Sequence, residues 1–208
     1  MKKILPLPFL LCALPVFAQI DDASNSCLKA NIIIVEDKST SMHCTENEAC
    51  FLISQLFFSL PISAENVWIG IANFGEKLQV VPPTPNPKKF ADAMVDMCIE
   101  QAKDSTTILE TELLALTHYF DETNLARGEQ VHNIVVIISD GYFTRFERTK
   151  RNADLLKSTY GVEIFTISLG SGDTGIAQLK VIASDEYHYS NDDVFKALGI
   201  IELKDVCP

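Results

Sequence analysis

Two hydrophobic patterns alternate along the chain and predict its secondary structure. Short runs rich in β-branched residues predict buried strands at 31–36 and 131–139, and apolar positions at helical spacing predict helices at 46–60 and 88–101. Weaker patterns predict further strands at 66–74, 77–81, 162–169 and 186–189, and further helices at 109–120, 148–159, 176–184 and 192–203.

This alternation predicts an α/β fold with a doubly wound, mostly parallel six-stranded sheet and helices on both faces, in three layers. Segment 77–81 follows strand 66–74 after a Gly-Glu turn, so we expect it to form the one antiparallel edge strand. The proline-rich segment 82–87 is expected to be a stiff loop within the same domain.

The first eighteen residues have the pattern of a secretory signal peptide. Lys2 and Lys3 precede an apolar stretch, and a small-residue cleavage pattern ends at Ala18. Three prolines and the short length argue against a membrane helix, and no later stretch is long and apolar enough to span a bilayer. We therefore expect a secreted chain that starts near Gln19, with a short segment at 19–26 and one domain at 27–208.

Composition and charge narrow the possible partners. The chain has 208 residues, of which 47% are hydrophobic and 22% charged, as expected for one globular domain. Its formal net charge is −11, and loss of Lys2 and Lys3 with the signal peptide makes it more negative. Such a surface repels nucleic acid and anionic membranes and attracts divalent cations, so we expect no nucleic-acid partner.

Oxygen-bearing side chains follow the two most strongly predicted strands. Asp37, Ser39 and Ser41 come directly after strand 31–36, and Asp140 comes directly after strand 131–139. Thr107 opens the helix predicted between them. Carboxylates and hydroxyls are hard oxygen donors suited to Mg²⁺, and ligand sites of such sheets lie at the carboxyl ends of the strands. The sequence therefore predicts a divalent-cation site built from these five residues.

The order of these donors resembles the metal-ion-dependent adhesion site of the von Willebrand factor type A domain family. That pattern is Asp-x-Ser-x-Ser after the first strand, then a Thr, then Asp-Gly, and the resemblance extends from about Cys27 to Cys207. It implies a non-enzymatic adhesion module that binds Mg²⁺, or Mn²⁺ in its place. An acidic side chain of an extracellular protein or matrix ligand would complete the coordination.

The chain departs from the family pattern in two ways, and several neighbours are candidate ligand contacts. Lys38 stands where a small residue is common, and the usual glycines before the Thr are missing. Thr106 competes with Thr107 for the third position, and Thr107 is preferred because Leu113 then falls where the family has an apolar helix residue. We expect Lys38, His43, Tyr142 and Arg145 to contact the ligand. Aromatic residues and arginine are favoured at interfaces.

Five cysteines remain after the signal peptide. Cys27 lies just before the first strand and Cys207 is penultimate, so we expect a Cys27–Cys207 disulfide between the two ends of the domain. The sequence does not choose a pairing among Cys44, Cys50 and Cys98. We expect a monomer, and the odd cysteine leaves a disulfide-linked dimer open.

Two enzyme classes and one further binding class compete with the adhesion hypothesis. Residues 170–175 match the dinucleotide pattern G-x-G-x-x-G, but too little chain follows for a nucleotide-binding sheet. A serine hydrolase using His43 as base is disfavoured because the chain has no G-x-S-x-G motif. A secreted domain that binds its partner without metal is the remaining alternative.

Overall fold

The computed structural model describes residues 29–74, 79–99, 109–185 and 187–190. The strands in these ranges are β1 (Ala30–Asp37), β2 (Val67–Phe74), β3 (Gln79–Thr84), β4 (His132–Ser139), β5 (Glu163–Ser168) and β6 (His188–Ser190). The helices are α1 (Glu46–Ser59), α2 (Pro87–Ile99), α3 (Glu110–Arg127), α4 (Phe146–Tyr160) and α5 (Asp173–Ile182), and a short 3₁₀ helix covers Thr40–Cys44.

The six strands form one sheet in the order β3-β2-β1-β4-β5-β6, and only β3 is antiparallel to its neighbour. This confirms the predicted fold class. The predicted signal peptide, Cys27, Cys207 and the predicted last helix at 192–203 lie outside the described residues.

Strand β1 lies at the centre of the sheet and is buried along its whole length. Side chains alternate between the two faces of a strand. Ile32 and Ile34 therefore pack beneath α1 and α2, whereas Ile33 and Val35 pack beneath α3, α4 and α5. Burial on both faces explains why β1 has a continuous apolar sequence rather than an alternating one.

Helices α1 and α2 lie side by side in opposite directions and are joined by a disulfide. The Cys50–Cys98 bridge spans a Cα–Cα distance of 5.8 Å, and the rings of Phe57 and Phe90 stack at 5.2 Å towards the other end of the pair. Cys44 is exposed and is a free thiol. The structure thus supplies the pairing that the sequence leaves open.

Strand β3 corrects the prediction of a loop at 82–87, because it continues through Pro82 and Pro83 to Thr84. Proline lacks a backbone donor, and the pairing of β3 with β2 shifts register between Ile69 and Ile71. Gly70 lies at this irregularity, where a Cβ atom would come within 2.7 Å of the Pro83 nitrogen. The strand can include the prolines because it is at the edge of the sheet and faces a glycine.

Two helices differ from their predicted bounds. Helix α3 extends to Arg127 instead of residue 120, since its last turns are largely polar and it ends at Gly128, whose φ is 73°. Helix α5 begins at Asp173 instead of residue 176, inside the glycine-rich segment. In the described residues, no helix is long and apolar enough to cross a membrane.

Candidate metal centre

The predicted donors that lie in the described residues are at the carboxyl edge of the sheet. Asp37 is the last residue of β1 and Asp140 is the first residue after β4, and these two strands are parallel neighbours. Ser39 precedes the 3₁₀ helix and Ser41 lies within it. Four of the five predicted donors are therefore on adjacent loops, while Thr107 lies outside the described residues.

Asp37 is held in place by hydrogen bonds to both carboxylate oxygens. The backbone N–H of Ser39 donates to Oδ1 at 2.9 Å, and the hydroxyl of Ser139 donates to Oδ2 at 2.6 Å. Asp37 is 1% exposed. Hydrogen bonds to both oxygens thus orient this buried carboxylate in the absence of an ion.

The other donors are similarly oriented. The hydroxyls of Ser39 and Ser41 are 3.0 Å apart, so they converge on one point of the loop. The carboxylate of Asp140 accepts a hydrogen bond from the Tyr142 backbone N–H at 3.1 Å. The described part of the site thus offers two carboxylates and two hydroxyls on neighbouring loops.

The electrostatics of the site fit a divalent cation. Burial raises the pKa of Asp37 to about 6, and the negative charge of nearby Asp140 adds to this effect. A divalent ion held by these residues would offset both the desolvation of Asp37 and its repulsion by Asp140. The described residues contain no group of three or more His, Cys, Asp or Glu side chains suited to a metal. The carboxylate and hydroxyl oxygens of this site are hard donors, which suit Mg²⁺ or Mn²⁺ better than a soft metal.

Lys38 is not placed as a surface contact. Its side chain is 6% exposed, and its Nζ atom lies 2.9 Å from Oε1 of Glu36, which is itself 1% exposed. Burial raises the pKa of Glu36, and the positive charge of Lys38 opposes this rise. The expectation that Lys38 contacts a ligand is therefore corrected, because its ammonium group is turned inward to a buried carboxylate.

The other three predicted contacts lie on the surface. The His43 side chain is 62% exposed, with Nδ1 at 3.5 Å from Oε1 of Glu46. Tyr142 is 46% exposed, and Arg145 is exposed where α4 begins. Phe143, in contrast, is buried, with its ring 6.5 Å from that of Phe74. The exposed side chains next to the donors are thus polar or aromatic.

The glycine-rich segment at 170–175 packs against the Asp140 loop. Gly141 has a φ of 82°, and a Cβ atom on Gly175 would overlap the carbonyl oxygen of Asp140. Gln178 of α5 reinforces this contact by accepting a hydrogen bond from the Phe143 backbone N–H at 3.2 Å. The glycines therefore allow two backbones to touch, which is a structural reason for the motif that the sequence alone does not reveal.

Two features of the site escaped the sequence analysis. The first is Ser139, which orients Asp37 by a hydrogen bond. Glu36 pairs with Ile138 across the parallel strands β1 and β4, so the next residues, Asp37 and Ser139, are also neighbours. The Glu36–Lys38 pair is the second feature. Charged residues at both positions flanking Asp37, one of them inside an apolar strand, are the signal that could have indicated it.

Together, the fold and the donor loops define a doubly wound α/β binding domain with an oxygen-rich site at the carboxyl edge of its sheet. The chain belongs to the von Willebrand factor type A domain family, whose model matches residues 31–204. The resemblance drawn from the five donors is thereby confirmed at the level of the family.

A curated protein matches this chain in sequence at low identity. An uncharacterized protein of Borreliella burgdorferi is 23% identical over 178 residues, which cover 84% of this chain and 50% of that protein. The chain thus spans about half the length of this curated relative.

Two solved structures of metal-loaded proteins have a similar fold. Manganese-loaded TRAP of Plasmodium vivax has a TM-score of 0.71 at 17% identity, covering 86% of this chain and 75% of that chain. Proximal thread matrix protein 1 of the mussel byssus, with a zinc-occupied MIDAS motif, has a TM-score of 0.62 at 16% identity, covering 85% and 46%. At these identities the likeness is one of fold.

Proposed function

We propose that this protein is a secreted binding module that holds a divalent cation and uses it to bind an extracellular protein or matrix ligand. The cation, Mg²⁺ or Mn²⁺, would be held by five oxygen donors: Asp37, Ser39, Ser41, Thr107 and Asp140. When bound, the ion would act as a Lewis acid towards a carboxylate of the ligand. The proposal assigns no catalytic role to any residue.

The observation that carries this proposal is the arrangement of Asp37, Ser39, Ser41 and Asp140 on adjacent loops. Two carboxylates neutralise a divalent ion, and hydroxyl donors add coordination without excess negative charge. An acidic ligand would then gain a favourable electrostatic contact on a protein whose formal net charge is −11. The metal would therefore determine both the position of the binding site and the class of ligand that it accepts.

The surface around the donors supports recognition of a protein. His43, Tyr142 and Arg145 surround the site and combine an aromatic ring with groups able to donate hydrogen bonds to carboxylates. We propose that these three residues contact the ligand around the ion. The predicted signal peptide at 1–18 and the Cys50–Cys98 disulfide support export to an oxidising compartment.

Calorimetric titration of Mg²⁺ and Mn²⁺ into chelator-stripped protein tests the metal site. We expect one site in the wild type and none in Asp37→Asn, which keeps an acceptor for the Ser39 amide but removes the charge. Asp92→Asn is the matched control, because Asp92 is an exposed carboxylate paired only with Lys88 in the hydrogen bonds and ion pairs of α2. At a metal concentration of about 100 times Kd, binding should add roughly 2.7 kcal/mol to the wild type's free energy of unfolding.

Two results would contradict the proposed metal site. If the wild type shows neither heat nor a metal-dependent rise in Tm, the metal site does not exist and the domain binds its partner without metal. If Asp37→Asn binds the ion as well as the wild type does, the ion binds elsewhere on the protein.

A further inference from the structure

A buried ion pair lies directly beside the candidate metal loop. Nζ of Lys38 lies 2.9 Å from Oε1 of Glu36, and neither side chain is more than 6% exposed. Burying two charges is unfavourable unless they remain closely paired, so this pair tolerates little change in the distance between its two residues. Neither residue is a donor in the proposed site, and the pair therefore needs another explanation.

The pair holds the end of β1 from the face opposite Asp37. Ile34 packs beneath α1 and α2 and Val35 beneath the other helices, so the alternation continues with Glu36 on the α1 side and Asp37 on the far side. The negative charge of Glu46, in the first turn of α1, acts on Glu36, which agrees with this placement.

Lys38 also marks the point where the strand ends. Its backbone N–H donates to the carbonyl oxygen of Phe74 at 2.9 Å, which extends the pairing of β1 with β2 by one residue. Ser39 follows immediately, and its own N–H is already bonded to Asp37. A shift of Lys38 would therefore move Ser39 and the two bonds that define the start of the loop.

We propose that Glu36 and Lys38 are a positioning pair that holds the Asp37–Ser41 loop in its ligating conformation before any ion binds. This inference rests on the proposed function, since it concerns the same metal site. Lys38 acts through the backbone that it anchors, and its charge is neutralised by Glu36. The lysine at position 38, where the family commonly has a small residue, thus orders the metal donors.

For removal of Lys38, the positioning role and simple electrostatics predict changes in metal affinity of opposite sign. A lysine near a cation repels it, so removal of an unpaired lysine would strengthen metal binding. Removal of a positioning lysine weakens binding, because Glu36 is left buried without a partner and the loop must rearrange to solvate it. The direction of the change in affinity therefore distinguishes the two roles.

The test measures Mg²⁺ affinity by calorimetry in three variants and one control. We expect Lys38→Met to bind at least about tenfold more weakly than the wild type, and Lys38→Arg, which keeps the charge but moves it, to bind more weakly as well. The double variant Glu36→Met/Lys38→Met replaces the pair with apolar side chains of similar size and should recover to within about threefold. Lys88→Met, in an exposed pair with Asp92, should bind like the wild type.

A second readout needs no metal. In chelator, the Ser39 amide should exchange its hydrogen at least about tenfold faster in Lys38→Met than in the wild type or the double variant. This result would support the positioning role even if no metal bound, which separates it from a failure of the proposed function. Equal or tighter Mg²⁺ binding by Lys38→Met would overturn the inference. So would unchanged exchange of Ser39, or a double variant as weak as the single one.

Discussion

Gly175→Ala should lower the free energy of unfolding by about 3 kcal/mol and weaken divalent-cation binding at least about tenfold. The added methyl group would overlap the carbonyl oxygen of Asp140, and a backbone atom cannot swing away as a side chain can. Relief requires either α5 or the Asp140 loop to move. Because Asp140 is a proposed donor, the same shift that destabilises the fold displaces part of the metal site.

Gly172→Ala is the matched control for this prediction. A methyl group there would meet only the Tyr142 hydroxyl, at 2.6 Å, and that group lies at the end of a half-exposed side chain. Thermal unfolding should therefore separate the two variants, with a fall in Tm of roughly 10 °C for Gly175→Ala and little change for Gly172→Ala. Equal melting and equal Mg²⁺ binding of the two would show that α5 does not set the position of Asp140.

The second large effect concerns the disulfide between α1 and α2. Cys50 and Cys98 are 48 residues apart in sequence, and closing a loop of this length in the unfolded chain is worth about 4 kcal/mol in the chain-entropy description. We therefore expect Cys50→Ala/Cys98→Ala to lose about this amount in urea unfolding, while the packing of Phe57 on Phe90 keeps the two helices together.

Two comparisons make the disulfide test specific. Cys44→Ser changes an exposed free thiol and should leave the free energy of unfolding within about 0.5 kcal/mol of the wild type. A reducing agent added to the double variant then measures any remaining bridge, including the predicted Cys27–Cys207 pair. An unfolding curve of the double variant that superimposes on that of the oxidised wild type would rule out a stabilising role for Cys50–Cys98.

Much of the fold could be predicted because its central strands are buried on both faces. A continuous β-branched run such as that of β1 has few alternative structures, and its length excludes a long helix. The order of strands and helices then determines a parallel sheet. The edge strand β3 was predicted to end too early because proline disfavours strands. The sequence pattern does not show that Gly70 of the neighbouring strand lies opposite the prolines.

The candidate site likewise contains some features that the sequence predicts and others that it does not. Asp37, Ser39, Ser41 and Asp140 could be chosen from sequence, since each is tied to the end of a strand or to a short motif. The Glu36–Lys38 pair was missed although both charges flank Asp37 in the sequence, because polar side chains near a strand end usually face solvent, and burial of this pair depends on tertiary packing. The choice of Cys50 and Cys98 likewise depends on two helices being neighbours, a tertiary fact.

The two prolines of β3 bear on how this domain behaves among copies of itself. Pro82 and Pro83 have no backbone N–H group, and both lie opposite Gly70, where the pairing of β3 with β2 shifts register. The irregular pairing and the missing donors leave this part of the edge without a regular ladder of hydrogen-bonding groups. A strand of a second molecule cannot add there in regular register, so this edge resists the sheet-to-sheet association through which exposed strands aggregate.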